Sequence, residues 1–294
     1  MNILYKYTTD LDTFFTKPTL KLSVPMYLND PFESAISEEI SHYESKEDGW
    51  LIELDYWTEL LTLGVISFSE TSRNLLMWAH YAKNHKGMCI GFEPDVLESI
   101  PRDKYMDRSY HAYYPTKVNY DNVRVDLHEL AAQKSNLYDA GIKRILTTKS
   151  DDWIYEKEHR CIVPLEWCDN AILSNEIHPS TNHAIEYLRK KNSMVEIKDN
   201  HITTNSESDR ELVFSELAKF NDITFLKEVN PKKVKTVHLG YRYDKNKITK
   251  LINDLKKPTH PLHHIILFQY KLSKTRYEIE PIELYPKHNN TERA

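Results

Sequence analysis

The stretch Trp153-Ile154-Tyr155-Glu156-Lys157-Glu158-His159-Arg160-Cys161 holds the densest set of chemically competent side chains in the chain. If the segment is extended, Glu156, Glu158 and Arg160 share one face, because side chains alternate along a strand. Two carboxylates so close repel, which raises one pKa unless a cation such as Arg160 stands between them. Arrangements of this kind serve acid–base chemistry or the stabilisation of a developing cation. An exposed strand face with an ion pair uses the same residue types.

Three further clusters have comparable content. Asn29-Asp30-Pro31-Phe32-Glu33 reads as a turn, since Asp bonds its local backbone and Pro fixes the next φ. Asp30 or Glu33 would there bind a cation or order a substrate loop, or Phe32 would simply anchor a corner. In Ser67-Phe68-Ser69 the two hydroxyls point to one side of a strand, as a polar pocket floor or as an exposed edge. On a helix through residues 76–87, Trp78 and Tyr81 are i,i+3 neighbours, in core packing or as a stacking platform. His80 and Asn84 lie on another face, and His80 and His85 are spaced poorly for joint metal ligation. Gly87 is expected to end that helix in left-handed geometry.

Composition removes several functional classes. The chain has 294 residues, 40% hydrophobic and 28% charged, a globular balance. No apolar run is long enough to span a membrane. Residues 1–7 read as a strand and not as a signal peptide. Three cysteines, Cys89, Cys161 and Cys168, make neither a disulfide framework nor a paired metal spacing, so a reducing cytoplasmic setting is expected. The 6 glycines cannot assemble a G-x-G-x-x-G turn or a phosphate-binding P-loop. Neither H-E-x-x-H nor G-x-S-x-G occurs, which removes the common zinc-protease and α/β-hydrolase patterns.

The net charge is −5, but it is unevenly spread. Residues 29–60 hold ten acids and one base, and residues 227–257 hold ten bases and three acids. The basic stretch is either a solvated lysine face or a contact for nucleic acid or nucleotide phosphates.

The elements that must position these residues follow from periodicity. Strands are expected at 2–7, 19–24, 65–69, 87–92, 118–120, 159–165, 234–239, 265–268 and 277–282. In the second of these, Leu20, Leu22 and Val24 face inward and Lys21 and Ser23 outward. Helices are expected at 8–15, 50–63 with Gly64 as the stop, 72–85, 126–146, 212–220 and 245–255. The helix at 126–146 would be buried in the monomer or form a dimer face. Residues 169–208 show little pattern. Together these give a single mixed α+β domain over 1–285, its core at 1–168, with 209–285 returning to it and 286–294 as a tail.

The ordered motifs Asn-Asp-Pro-Phe-Glu, Ser-Phe-Ser-Glu, Met-Trp-x-His-Tyr-x-x-x-His-Lys-Gly and Tyr-Glu-Lys-Glu-x-Arg, after an initial Leu-Tyr-Lys-Tyr, resemble a bacterial and phage family of unknown function over about residues 2–270. More distantly, Lys6 on the first strand, Ser67-Phe68-Ser69 and Glu156-Lys157-Glu158 resemble, in order, the ADP-ribosyltransferases of the Arg–Ser–Glu type. Position 6 is Lys where that pattern has Arg, which removes a bidentate contact. The resemblance implies a curved, split β-sheet with flanking helices that binds NAD as substrate without a glycine-rich loop and without a metal.

It also implies roles. Cleaving the nicotinamide–ribose bond develops oxocarbenium charge, which a fixed carboxylate stabilises. Glu158 takes that part, Glu156 orients or deprotonates the acceptor, Ser67 supports Glu158, and Lys6 lies near the phosphates. Tyr5, Tyr7, Trp78 or Tyr81 would stack on nicotinamide, with Ser69 beside them. The acceptor would be a nucleic acid or a protein, and the enzyme a toxin or an anti-phage effector. Two other classes compete. One is a metal-dependent nuclease or phosphoesterase built on Asp30, Glu33, Glu156 and Glu158, which EDTA would silence. The other is a non-enzymatic nucleotide- or partner-binding module, which would keep its affinity when Glu158 becomes Gln.

Overall fold

The first two strands of the chain, Leu4–Thr8 and Thr19–Leu22, belong to different sheets. A computed structural model describes residues 3–9, 13–35, 49–97, 108–124, 137–192, 195–204 and 206–286. Its strands are β1 Leu4–Thr8, β2 Thr19–Leu22, β3 Leu63–Ser69, β4 Met88–Phe92, β5 Ala112–Lys117, β6 Asn119–Tyr120, β7 Thr148–Lys149 and β8 Glu158–Pro164. They continue with β9 Asn170–Leu173, β10 Val195–Lys198, β11 His201–Thr204, β12 Ile223–Glu228, β13 Val234–Leu239, β14 Ile266–Leu272 and β15 Ile279–Tyr285. The helices are α1 Gly49–Leu61, α2 Leu75–Tyr81, α3 Leu137–Thr147, α4 Pro179–Asn192, α5 Arg210–Leu217 and α6 Lys245–Leu255. The molecule is a mixed α+β protein.

The larger sheet has eight strands in the order β15-β14-β13-β4-β1-β3-β8-β5, and the smaller has five, β10-β11-β9-β12-β2. Only β13 and β14 run parallel within these two sheets. The last third of the chain therefore returns to both: β13–β15 extend the large sheet, and β12 pairs with β2. Leu20, Leu22, Phe225 and Ile202 of the small sheet share one apolar core with Ile66, Phe68, Ile90 and Phe92 of the large one.

The centre of the large sheet is its weakest seam. β1 pairs with β4 over five register positions and β3 with β8 over seven, whereas β1 and β3 meet only at Tyr5↔Ser69. Further along β3, the place beside Val65 is taken by Ser23, with Ser23 N donating to Val65 O at 2.9 Å and Val65 N to Ser23 O at 2.8 Å. Strand β2 thus enters where β1 and β3 part, and the gap becomes a cavity.

Several expected elements differ in detail. The helix expected at 72–85 is α2, seven residues long, capped by Asn74, whose side chain accepts from Leu76 N and Met77 N. Lys83, Asn84 and His85, all at positive φ, break it, not Gly87. Gly87 is needed for space instead: a Cβ there would lie 2.3 Å from Thr8 O and 3.0 Å from Ala82 O. Because both obstacles are backbone, Gly87→Ala is expected to cost about 1–3 kcal/mol, read as a lower denaturant midpoint at unchanged slope. Gly64 does not stop α1; it lies inside β3, where Leu22 packs against its backbone.

On α1 the apolar stripe expected from the spacing of Leu51, Leu54, Trp57, Leu60 and Leu61 is displaced. Tyr56 and Leu60 are buried, while Leu54 and Trp57 are about half exposed (54% and 50%). Residues 169–208, read as poorly patterned, contain β9, α4, β10 and β11. The helix expected at 126–146 is described only from 137, as α3; residues 125–136 lie outside the described residues, as do 10–12 of the expected helix at 8–15. Residues 13–15 of that segment are turn. Cys89, Cys161 and Cys168 are buried and unpaired, and no described helix is long and apolar enough to cross a membrane.

Candidate functional site

The parting of β1 from β3 opens a cavity of about 330 Å³, within the usual range of small-molecule sites. Strand β1 contributes Tyr5, Lys6 and Tyr7; β2 and its continuation give Lys21 and Ser23; the segment 25–35 gives Tyr27, Leu28, Asn29 and Glu33. Ser67 comes from β3, Met77 and Tyr81 from α2, Lys149 from β7, and Glu156, Glu158 and Arg160 close the floor.

The floor is built by a local break in the chain. Residues Asp151–Glu156 form a 3-10 helix, so the extended conformation that would put Glu156 on one face with Glu158 and Arg160 begins only with β8 at Glu158. Between them Lys157 adopts a left-handed conformation at φ 46°. Glu156 and Glu158 reach the same cavity, but from a helical turn and a strand. Glu158 and Arg160 do share a strand face, as the period of two requires.

Five ionisable groups pack there almost without solvent: Glu33 1%, Lys149 5%, Glu156 3%, Glu158 4% and Arg160 0% exposed. Arg160 forks onto Glu158, with Nε donating to Oε1 at 2.7 Å and Nη2 to Oε2 at 3.0 Å. Its Nη2 also pairs with Glu33, and Nη1 donates to Leu146 O at 2.8 Å. Lys149 Nζ bridges the acids, 2.7 Å from Glu156 Oε2, 3.0 Å from Glu158 Oε2 and 3.6 Å from Glu33 Oε1. The second oxygen of Glu156 accepts from Tyr81 Oη at 2.5 Å, and Tyr81 Oη accepts from Asn29 Nδ2 at 3.1 Å.

Backbone contacts fix the same groups. Glu158 N donates to Tyr120 Oη at 2.8 Å, Ser69 Oγ to Glu156 O at 2.6 Å, and Asn74 Nδ2 to Tyr155 O at 2.7 Å. The Ser67 side chain helps hold the Glu158 carboxylate ionised, while Ser67 O accepts from Lys6 Nζ at 3.1 Å.

Burial alone would raise the Glu158 carboxyl, but Arg160 and then Lys149 outweigh it and hold it at about 2. For Glu33 burial is the larger influence and its pKa is raised in spite of the same two cations. Burial, then the neighbouring Lys21, lowers Lys6 to about 8. Burial, reinforced by Glu156, keeps the Tyr81 phenol protonated.

Because the folded pKa of Glu158 lies below its ordinary 4.5, its ionised form contributes about 3 kcal/mol above that pH. The contribution is lost as pH falls through about 2. The stability gap between wild type and Glu158→Gln is therefore expected to shrink on acidification from pH 5 toward 2, measured by urea unfolding at each pH.

Of the residues singled out from sequence, Tyr5, Lys6, Tyr7, Asn29, Glu33, Ser67, Tyr81, Glu156, Glu158 and Arg160 line this one cavity. Others stand apart. Trp78 is core, fully buried, its Nε1 donating to Ser72 O at 2.8 Å, with Tyr7 and Tyr270 against its edges. His85 stacks on Trp78, and His80 is exposed on the helix. Asp30 caps the 3-10 turn Pro31–Glu33 by accepting from Phe32 N, and Ser69 is a buried support. Sequence reasoning overlooked Lys149, Tyr27, Asn74 and Tyr120. Lys149 sits on a two-residue strand that gives no periodic signal. Lys21 and Ser23 are on the outward face of β2 as expected, and that face is a cavity wall.

The basic stretch 227–257 is partly neutralised. Lys227 pairs with Asp169 at 2.9 Å, Lys235 with Glu93 at 2.8 Å, Lys257 with Asp254 at 2.6 Å, and Lys233 with Asp95.

Residues 77–161 match the sequence model of a family described as a protein of unknown function (DUF2971). The matched span is shorter than the ordered motifs suggest, and it includes Tyr81, Lys149, Glu156, Glu158 and Arg160. No curated protein and no solved structure matches the chain.

Proposed function

We propose that this cavity binds NAD and cleaves its nicotinamide–ribose bond, passing ADP-ribose to a protein or nucleic acid acceptor. The observation that supports this most is the meeting of Lys6, Ser67, two tyrosines and an ionised Glu158 in one space, opened where β1 and β3 separate. A carboxylate held at about 2 is a poor proton acceptor at neutral pH and a permanent negative charge. That is the property needed beside a ribose on which positive charge develops, because a fixed charge costs no reorganisation in the transition state. Ser67, Arg160 and Lys149 set its orientation. Glu156, tied to Tyr81 and Lys149, stands next to it to orient the acceptor. Tyr5 and Tyr7 supply flat surfaces for nicotinamide.

Saturation of Glu156 and Glu158 by Lys149, Arg160 and Tyr81 favours a second reading, a nucleotide-binding module without turnover. The same saturation weakens the metal-dependent hydrolase, because the ammonium and guanidinium groups already stand among the three carboxylates. Incubation with NAD labelled in its adenylate half, with cell extract, RNA or DNA, separates the three. Transfer is expected to release nicotinamide and label one acceptor class, equally with and without EDTA. Nucleotide binding without nicotinamide release would support the module, and EDTA-sensitive strand cleavage the hydrolase.

A further inference from the structure

The cavity has two chemically different walls. Its floor is saturated, every cation there holding carboxylates. Its opposite wall is not. Lys6 on β1 gives one hydrogen bond, to Ser67 O, and forms no ion pair among the described residues. Lys21, on β2 of the other sheet, is exposed at the cavity, and its ammonium has neither an ion pair nor a hydrogen bond among the described residues. The hydroxyls of Ser23, two residues along the same face of β2, and of Tyr27 likewise have no partner among the described residues.

Two like charges are thus held together where the two sheets converge, beside two idle hydroxyls. Each lysine lowers the cost of the other only if an anion comes between them. Burial and Lys21 together depress Lys6, as expected of a pair awaiting a counter-charge. Ammonium groups act on phosphoryl oxygens as mobile point charges, and such charge-assisted bonds are the strong ones.

We propose that Lys6, Lys21, Ser23 and Tyr27 form a phosphoryl oxyanion site that receives the diphosphate of a nucleotide at the open side of the cavity. The proposal deepens the NAD reading and rests on it only for which diphosphate is bound. Lys21 is a binding residue contributed by the small sheet, so the site is complete only when both sheets are assembled.

The test is calorimetric titration of the full chain with inorganic pyrophosphate and, separately, with ADP-ribose, at one fixed ionic strength. Lys21→Gln is expected to weaken both by about tenfold, and Lys21→Arg to keep most of the affinity. Lys17→Gln, at an exposed lysine paired with Glu228 away from the cavity, is expected to bind as wild type does. Because Lys21 is exposed, the substitution leaves the fold intact, which a matching melting curve verifies. Wild type that binds no pyrophosphate, or Lys21→Gln that binds it unchanged, overturns the proposal even if NAD is cleaved. Pyrophosphate held through Lys21 by a protein that never cleaves NAD upholds the anion site and overturns the NAD reading.

Discussion

Glu158→Gln is expected to lower nicotinamide release from NAD by about 100- to 1,000-fold, with a far smaller change in NAD affinity. Gln keeps the size of the side chain and removes the charge, and it also replaces one acceptor of the Arg160 and Lys149 hydrogen bonds by an amide donor. The loss should therefore appear in kcat, since oxocarbenium charge exists in the transition state and not in bound substrate. Glu156→Gln is expected to behave differently. Its one amide oxygen keeps an acceptor for Lys149 Nζ, and the amide nitrogen replaces the oxygen that accepted from Tyr81 Oη, so nicotinamide release should persist while transfer to the acceptor falls. Equal losses in both variants would argue that the pair acts only as a structural unit. Circular dichroism and melting curves of each variant separate chemistry from unfolding.

Arg160→Met is expected to cost about 3–5 kcal/mol of stability, because it strands buried charge instead of deleting it. Arg160 is fully buried and holds Glu158 through two nitrogens, Glu33 through one and the Leu146 carbonyl through another. Without it, three carboxylates face Lys149 alone. Adding Glu33→Gln to Arg160→Met should restore part of the loss, a coupling that a double-mutant cycle measures directly. The contrast is Lys190→Ala on α4, whose partner Glu186 is 3.9 Å away with both side chains mostly exposed; it should stay within about 0.5 kcal/mol. Chemical denaturation of wild type, Arg160→Met, Glu33→Gln, the double variant and Lys190→Ala checks the series. An Arg160→Met protein as stable as wild type would mean that the five-charge cluster does not organise the floor.

The parts of the fold legible in the sequence are those whose local chemistry is self-contained. β13 and α6 have the bounds expected of them, because Val234, Val237 and Leu239 bury in one strand and Asp244 caps the helix that follows by accepting from Asn246 N. The contact of Glu158 with Arg160 is likewise a consequence of spacing by two. What escaped was set at long range. Lys149 belongs to the floor because β7 is held beside β6, and nothing in Thr148-Lys149 announces it. Glu33, 127 positions from Arg160 in the chain, joins it through the turn that Asp30 caps. Residues 169–208 read as irregular because Ala171, Leu173, Ile185, Leu188, Val195 and Ile202 bury within otherwise exposed elements. The spacing of Trp78 and Tyr81 allowed core packing or a stacking platform; Trp78 is core, with three consecutive left-handed residues folding His85 back over it.

The most direct measurement is the titration of the wild-type chain with NAD by calorimetry, followed by chromatographic detection of nicotinamide from the same sample. NAD cleavage at this cavity requires saturable heat of binding and nicotinamide that accumulates with time and is unaffected by EDTA. Neither heat nor nicotinamide at millimolar NAD would contradict it.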